Sequence, residues 1–248
     1  MFRILIMTVV MHFTFLPASE AKDYNASLFG IKSDGITLNT GSIQTAVDFI
    51  SGHGGGRLTF YVGRYLTGTI KLKSNVSIRL EEGAVLVGVP SIYDYFSNGS
   101  FVSMLYGENL KNVSITGKGV IIGNGRALLA ARTEQVKNGY IQNEDNAVAP
   151  GLIQLKDCEN VTISGIVFRN SLGDAIRLDK TTNGSVDSIT VQNKGLPGSA
   201  LSLSNNRRLS VLNSYFETSG REIIYTESNQ DIRIENTKNS AGKKLRKP

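Results

Sequence analysis

Cysteine is nearly absent from this chain: Cys158, in LKDCENV, stands alone. A single thiol excludes an intramolecular disulfide, so the fold must rest on a core large enough to hold without one. No cysteine follows the small residues at 19–21, so a lipoprotein anchor is not indicated there. Histidine is almost as scarce. Past residue 21 only His53 remains, and it sits in the glycine run SGHGGG, where a structural or solvated role outweighs a catalytic one. After Leu16 no segment is apolar enough to span a bilayer. Basic and aromatic residues are not interleaved along one face, so nothing indicates nucleic acid as a partner.

The one long apolar run is Ile4–Leu16, between a basic start at Arg3 and the small-x-small site Ser19-Glu20-Ala21. That pattern predicts a signal peptide over 1–21, and with it export to the periplasm or medium, with no membrane attachment after cleavage. Its removal takes one Arg and one Glu, leaving the formal charge at +6. Part of that charge is late, at Arg233, Lys238, Lys243, Lys244, Arg246 and Lys247. A basic exported protein suits an acidic polysaccharide, although a solvated basic tail over 238–248 accounts for the same residues.

What the sequence does have is a returning phrase: NVSIRL at Asn75, NVSITG at Asn112 and NVTISG at Asn160. Weaker echoes begin at Ser185, Arg208 and Asp231. Their second apolar positions are Ile78, Ile115, Ile163, Val186, Val211 and Ile234, and the last three gaps are 23, 25 and 23 residues. Short β-rich runs at such a period mark a stacked repeat in which each unit buries its apolar face against the next. Before the stack, Ile43, Ala46, Val47 and Ile50 fall at i, i+3, i+4, i+7. They predict an amphipathic helix, capped by Asn39 or Thr40 and stopped by glycines, that covers the first strand edges. Residues 126–150 break the strand pattern and read as the longest loop.

A second strand can be laid over itself as GDAIRLD (173–179), GSALSLS (198–204) and REIIYTE (221–227). This register sends Ile176, Leu201 and Ile224 inward, then Leu178, Leu203 and Thr226. It turns Arg177, Ser202 and Tyr225 outward in one column and Asp179, Ser204 and Glu227 in the next. The expected fold is all-β: a right-handed parallel β-helix over 57–237, preceded by an N-terminal segment and capping helix over 22–56.

The N-terminal half also resembles a known family. FGIKSDGITLNTGSIQTAVDF, GGGRLTFYVGRYLTGTIKLKSNVSIRLEEGAVLVG and SIYDY are similar to glycoside hydrolase family 28, the polygalacturonase-like enzymes, in its bacterial branch. The match is dense over 28–125 and looser to about Phe216. It implies a β-helix that hydrolyses pectic polymers with inversion, using no metal or other cofactor, with pectin-type oligosaccharide as partner. The family's acids come from an Asn-x-Asp on one rung and an Asp-Asp on the next, with His-Gly and Arg-x-Lys on later rungs. Here those rungs read Pro197-Gly198-Ser199 and Gly220-Arg221, or Arg221-Glu222 with an insertion placed earlier. The later two motifs find no counterpart before Pro248, so the reading is of an impaired or truncated hydrolase, or of a non-catalytic carbohydrate-binding β-helix.

Inverting hydrolysis needs two carboxyl groups roughly 6.5–9.5 Å apart. The remaining candidates are Asp174 and Glu222, placed two rungs and so about 10 Å apart by the gapless register. Against them stands the plain alternative that acids beside Arg177 and Lys180 form ordinary surface pairs. A lyase-like Ca²⁺ cluster of Asp174, Asp179, Glu222 and Glu227 has no spacing that singles it out. For binding, Arg177 offers a fork for a sugar carboxylate and Tyr225 an apolar platform.

Overall fold

The computed structural model describes residues 22–97, 100–101, 103–141, 149–226 and 228–246. The expected signal peptide lies outside them. Three parallel sheets wind around one core. Sheet 1 has eight strands, from Asp23–Asn25 through Val76–Leu80, Lys111–Gly117, Glu159–Ser164, Thr182–Asp187 and Arg207–Leu212 to Gln230–Glu235. Sheet 2 has eight, from Asp34–Leu38 to Lys238–Asn239, and sheet 3 has six, from Ile70–Lys71 to Ile223–Tyr225. One turn of the coil runs from sheet 3 to sheet 1 to sheet 2, as in Ile153–Lys156, Glu159–Ser164 and Val167–Arg169. The result is the right-handed parallel β-helix, the hand that connections between parallel strands almost always take.

The phrase that repeats in the sequence is the sheet 1 strand. Leu58, Ile78, Ile115, Ile163, Val186, Val211 and Ile234 pair in unbroken register. All but Ile234, on the last turn, are buried. The asparagine that opens each phrase has a purpose of its own. Asn75, Asn112, Asn160 and Asn183 have φ near +60°, a left-handed conformation that asparagine tolerates better than most residues. Their amides also form a ladder: Asn112 donates to Asn75 at 2.8 Å, Asn160 to Asn112 at 2.9 Å and Asn183 to Asn160 at 3.3 Å. These four asparagines are therefore occupied by one another. Asn160→Ala removes two ladder steps and strains a left-handed position, at a cost of about 1–2 kcal/mol. A thermal melt lowered by a few degrees is expected, and an unchanged midpoint would show that the ladder carries no stability.

The amphipathic helix, α1 (Thr40–Gly52), buries Ile43, Ala46, Val47 and Ile50 as the spacing requires. It packs on the first strands of sheets 1 and 3. Asn39 precedes it but does not cap it with its side chain. The Asn39 amide instead clasps Lys32 N at 2.8 Å and the Lys32 and Thr37 carbonyls.

Three expectations change. The loop expected over 126–150 begins with a second helix, α2 (Gly125–Lys137), of which only Gly125 and Leu128 are buried. Good helix formers build it, but so narrow an apolar contact leaves no face to read in the sequence. The tail is not simply solvated either. Lys238–Asn239 is the last strand of sheet 2, the chain turns back to bridge Lys244 to Lys238, and Leu245 packs against the core.

The third change is a slip of one residue. Leu201 pairs with Ile223, Ser202 with Ile224 and Leu203 with Tyr225. Ile224 thus points out, 38% exposed, while Tyr225 continues the inward Leu178–Leu203 column. Burying a tyrosine ring rather than Thr226 favours this register by the greater apolar area withdrawn from water. The Tyr225 hydroxyl is buried with no partner among the described residues.

Candidate functional site

Where each strand of sheet 3 begins, the incoming loops from sheet 2 meet the sheet's outer edge. The backbones there touch: a Cβ on Gly198 or Gly173 would collide with the carbonyl of Gly173 or Ala149. Asn193 fixes the approach, donating to Gly198 O at 3.0 Å and accepting from Ser171 N at 2.7 Å.

Asp174 stands at this edge with its side chain 10% exposed. One carboxylate oxygen accepts from Arg177 Nη2 at 2.9 Å and Nε at 3.3 Å. The other accepts from Ser199 Oγ at 2.7 Å and Ser199 N at 3.2 Å. The register that pairs Ile176, Leu201 and Ile223 puts Asp174, Ser199 and Arg221 in line, two residues before each.

Glu222 is therefore not the counterpart of Asp174. Its carbonyl accepts from Leu201 N at 3.0 Å, in the row where Ala200 O accepts from Ile176 N and Ala175 O from Ile153 N. Ala175 and Ala200 are fully buried. The Glu222 carboxylate accepts from Asn239 Nδ2 at 2.7 Å, on the last strand of sheet 2. The two candidate acids have separate partners, Arg177 and Ser199 for Asp174 and Asn239 for Glu222. Tyr225, the expected sugar platform, faces the core, because the one-residue slip exchanges it with Ile224. Asp179 accepts from Asn205 Nδ2 at 3.1 Å, and Glu227 lies outside the described residues. Among the described residues no three His, Cys, Asp or Glu side chains converge as metal ligands do.

Arg177 is where the sequence placed it, on the outer face and 54% exposed at the side chain. Its column runs Lys71, Tyr106, Gln154, Arg177, Ser202, Ile224, and the next holds Glu108, Lys156, Asp179, Ser204. The earlier members escape a reading confined to the last three repeats. LYGEN and IQLKD are the same strand two turns and one turn before IRLD, and laying them over it finds Tyr106, Glu108, Gln154 and Lys156. Lys156 Nζ and the Tyr106 hydroxyl each donate to Glu108 at 2.7 Å. The lysine and then the tyrosine hold the Glu108 carboxyl below its usual range, while burial and then Glu108 push Tyr106 up to about 12. A shallow groove of about 250 Å³ lies here, between Lys71, Lys73 and Tyr106. The outer face is thus a mixed polar surface: cations for carboxylates, and amide, hydroxyl and tyrosine groups for sugar hydroxyls.

Comparison with known proteins agrees with this architecture. The model of the glycosyl hydrolases family 28 matches residues 57–243. An exo-poly-alpha-D-galacturonosidase from Dickeya chrysanthemi is 27% identical over 253 residues, covering 82% of this chain and 42% of that protein. A solved structure from Parabacteroides merdae, assigned as a glycosyl hydrolase, superposes with a TM-score of 0.86 at 42% identity, covering 91% of this chain and 99% of that one. The family 28 exopolygalacturonase of Yersinia enterocolitica shares the fold at a TM-score of 0.80 and 21% identity, over 89% of this chain and 49% of its own. This chain thus spans less than half the length of the Dickeya and Yersinia proteins and nearly all of the Parabacteroides one. With three-sheet coil, lid helix and matching rungs in one register, the chain belongs to glycosyl hydrolase family 28.

Proposed function

We propose that this chain is an exported protein that holds pectin-type, carboxylate-bearing oligosaccharide along the outer face of sheet 3 without the family's hydrolytic pair. One observation carries the reading: the line of residues that opens the sheet 3 strands is Asp174, Ser199, Arg221, with a single carboxylate in it, and that carboxylate is tied on both oxygens. A carboxylate so bound is a positioning group. It fixes the Arg177 guanidinium by its Nε and Nη2 edge and leaves Nη1 to grip a sugar carboxylate, a planar fork that an ammonium does not offer. Gln154 and Ser202 flank Arg177 on neighbouring turns, about 4.8 Å either way.

Calorimetric titration of the secreted chain with galacturonate oligomers tests this. Binding is expected at low salt and should fall steeply as salt rises, since the contacts are exposed charges. Arg177→Ala should weaken binding about tenfold, the equivalent of about 1.4 kcal/mol. Equal affinity in wild type and Arg177→Ala would remove sheet 3 as the binding face.

A further inference from the structure

At the opposite end of the sheet 3 strands, the short turn into sheet 1 leaves a second groove, of about 470 Å³. Its floor is buried Cys158 and half-buried Leu110. One wall is the turn that carries Asp157 and Lys180, and the other is the start of sheet 1, where Lys111, Glu159, Thr182 and Arg207 stand in register. We infer that this corner is a second binding site for an acidic oligosaccharide, separate from the Arg177 face, in which Arg207 and Arg208 take the sugar carboxylate.

The charges do not cancel. Lys111 pairs with Glu159 at 3.1 Å, and Lys180 approaches Asp157 at 3.9 Å. That leaves Arg207 and Arg208, both exposed, with no carboxylate partner among the described residues. Arg208 is nevertheless held in place. It sits at φ 55°, and its Nε donates at 2.6 Å to Asn183, at the end of the asparagine ladder. Two guanidinium groups on one turn, one of them immobilised through Nε, present free N–H donors toward a groove large enough for one or two sugar rings.

The walls also say which anion fits. Asp157 and Glu159 would repel a ligand with a charge at every unit and no other recognition groups, such as the phosphate backbone of nucleic acid. A polyuronate brings hydroxyls between its carboxylates. Asp157, Glu159 and Thr182 Oγ can accept from those hydroxyls while the arginines take the charge. With Lys180 one turn, about 4.8 Å, before the two arginines, the cations suit a linear acidic chain laid along the coil axis.

The test uses the variant Arg207→Gln/Arg208→Asn, because asparagine keeps both the left-handed conformation and the ladder. Arg207→Gln alone, at an exposed side chain without a partner, serves should the double variant melt early. Galacturonate oligomers are titrated calorimetrically into wild type, this variant and Arg177→Ala. Two oligomers per chain are expected in wild type. One should remain in either variant, with the lost site weakened at least about tenfold. If the Arg177 face does not bind, wild type takes one oligomer and loses it only in the 207/208 variant, so the two readings fail separately. Unchanged stoichiometry and affinity in the 207/208 variant would overturn the inference. So would retention of this site by fully methyl-esterified oligomers, or equal occupancy by duplex DNA or inorganic phosphate, which would make it a general anion patch.

Discussion

Val211→Asp unfolds the coil. Val211 is wholly buried, on the seventh of the eight strands of sheet 1, with Val186 on the turn below and Ile234 on the turn above. An aspartate there meets no cation on either turn of its column and must enter the core either charged or neutralised. An uncompensated buried charge costs several kcal/mol, a large part of the 5–15 kcal/mol that holds a typical domain. The loss does not stay local, because each turn of a stacked repeat is stabilised by its neighbours. The expected result is a chain without a cooperative melt, or one that unfolds tens of degrees early, by circular dichroism. Ser210→Asp is the control: one residue away, it faces outward beside Ser185 and Arg233. It should move the midpoint little, as surface changes do. If both variants melt like wild type, Val211 is not in the core.

That column was legible in the sequence because two requirements coincide in each phrase. An apolar residue must face in at every other position, and a left-handed residue must break the strand three places before the central one, as Asn75, Asn112 and Asn160 do before Ile78, Ile115 and Ile163. Each signal confirms the other, so the register could not drift. Sheet 3 is punctuated too, by a left-handed residue after each of four strands, but its type varies (Asn109, Asp157, Lys180, Asn205) and so does not read as a phrase. Its last strand offers Ile223, Ile224 and Tyr225 in succession, so alternation cannot say which two face in. Backbone pairing through Glu222 O, together with burial of the Tyr225 ring, decides it. The Asp174–Ser199 contact was hidden for another reason. It joins residues 25 apart across a loop where glycines let backbones meet, a closeness that spacing does not encode. α2 was missed because one leucine suffices to seat it.

On polygalacturonate, reducing-sugar release by the purified chain should fall at least about 10² below that of a hydrolase carrying both acids, since a missing general acid or base typically costs about 10²–10⁴. Inversion needs one carboxyl to protonate the leaving oxygen and another, roughly 6.5–9.5 Å away, to activate water. Along the line that opens the sheet 3 strands, Ser199 and Arg221 occupy two of the three places, and neither can act as a carboxylic acid. Asp174 holds the third, with Ser199 and Arg177 on its two oxygens. Glu222 lies outside that line, its backbone in the Ala175–Ala200 row and its carboxylate engaged by Asn239. Whatever slow release remains should therefore be the same in Asp174→Asn and Glu222→Gln. Turnover comparable to an intact polygalacturonase that disappears in Asp174→Asn would overturn this account. It would mean that Ser199 and Arg177 poise Asp174 as a base toward water, and that a proton donor reaches the edge from elsewhere.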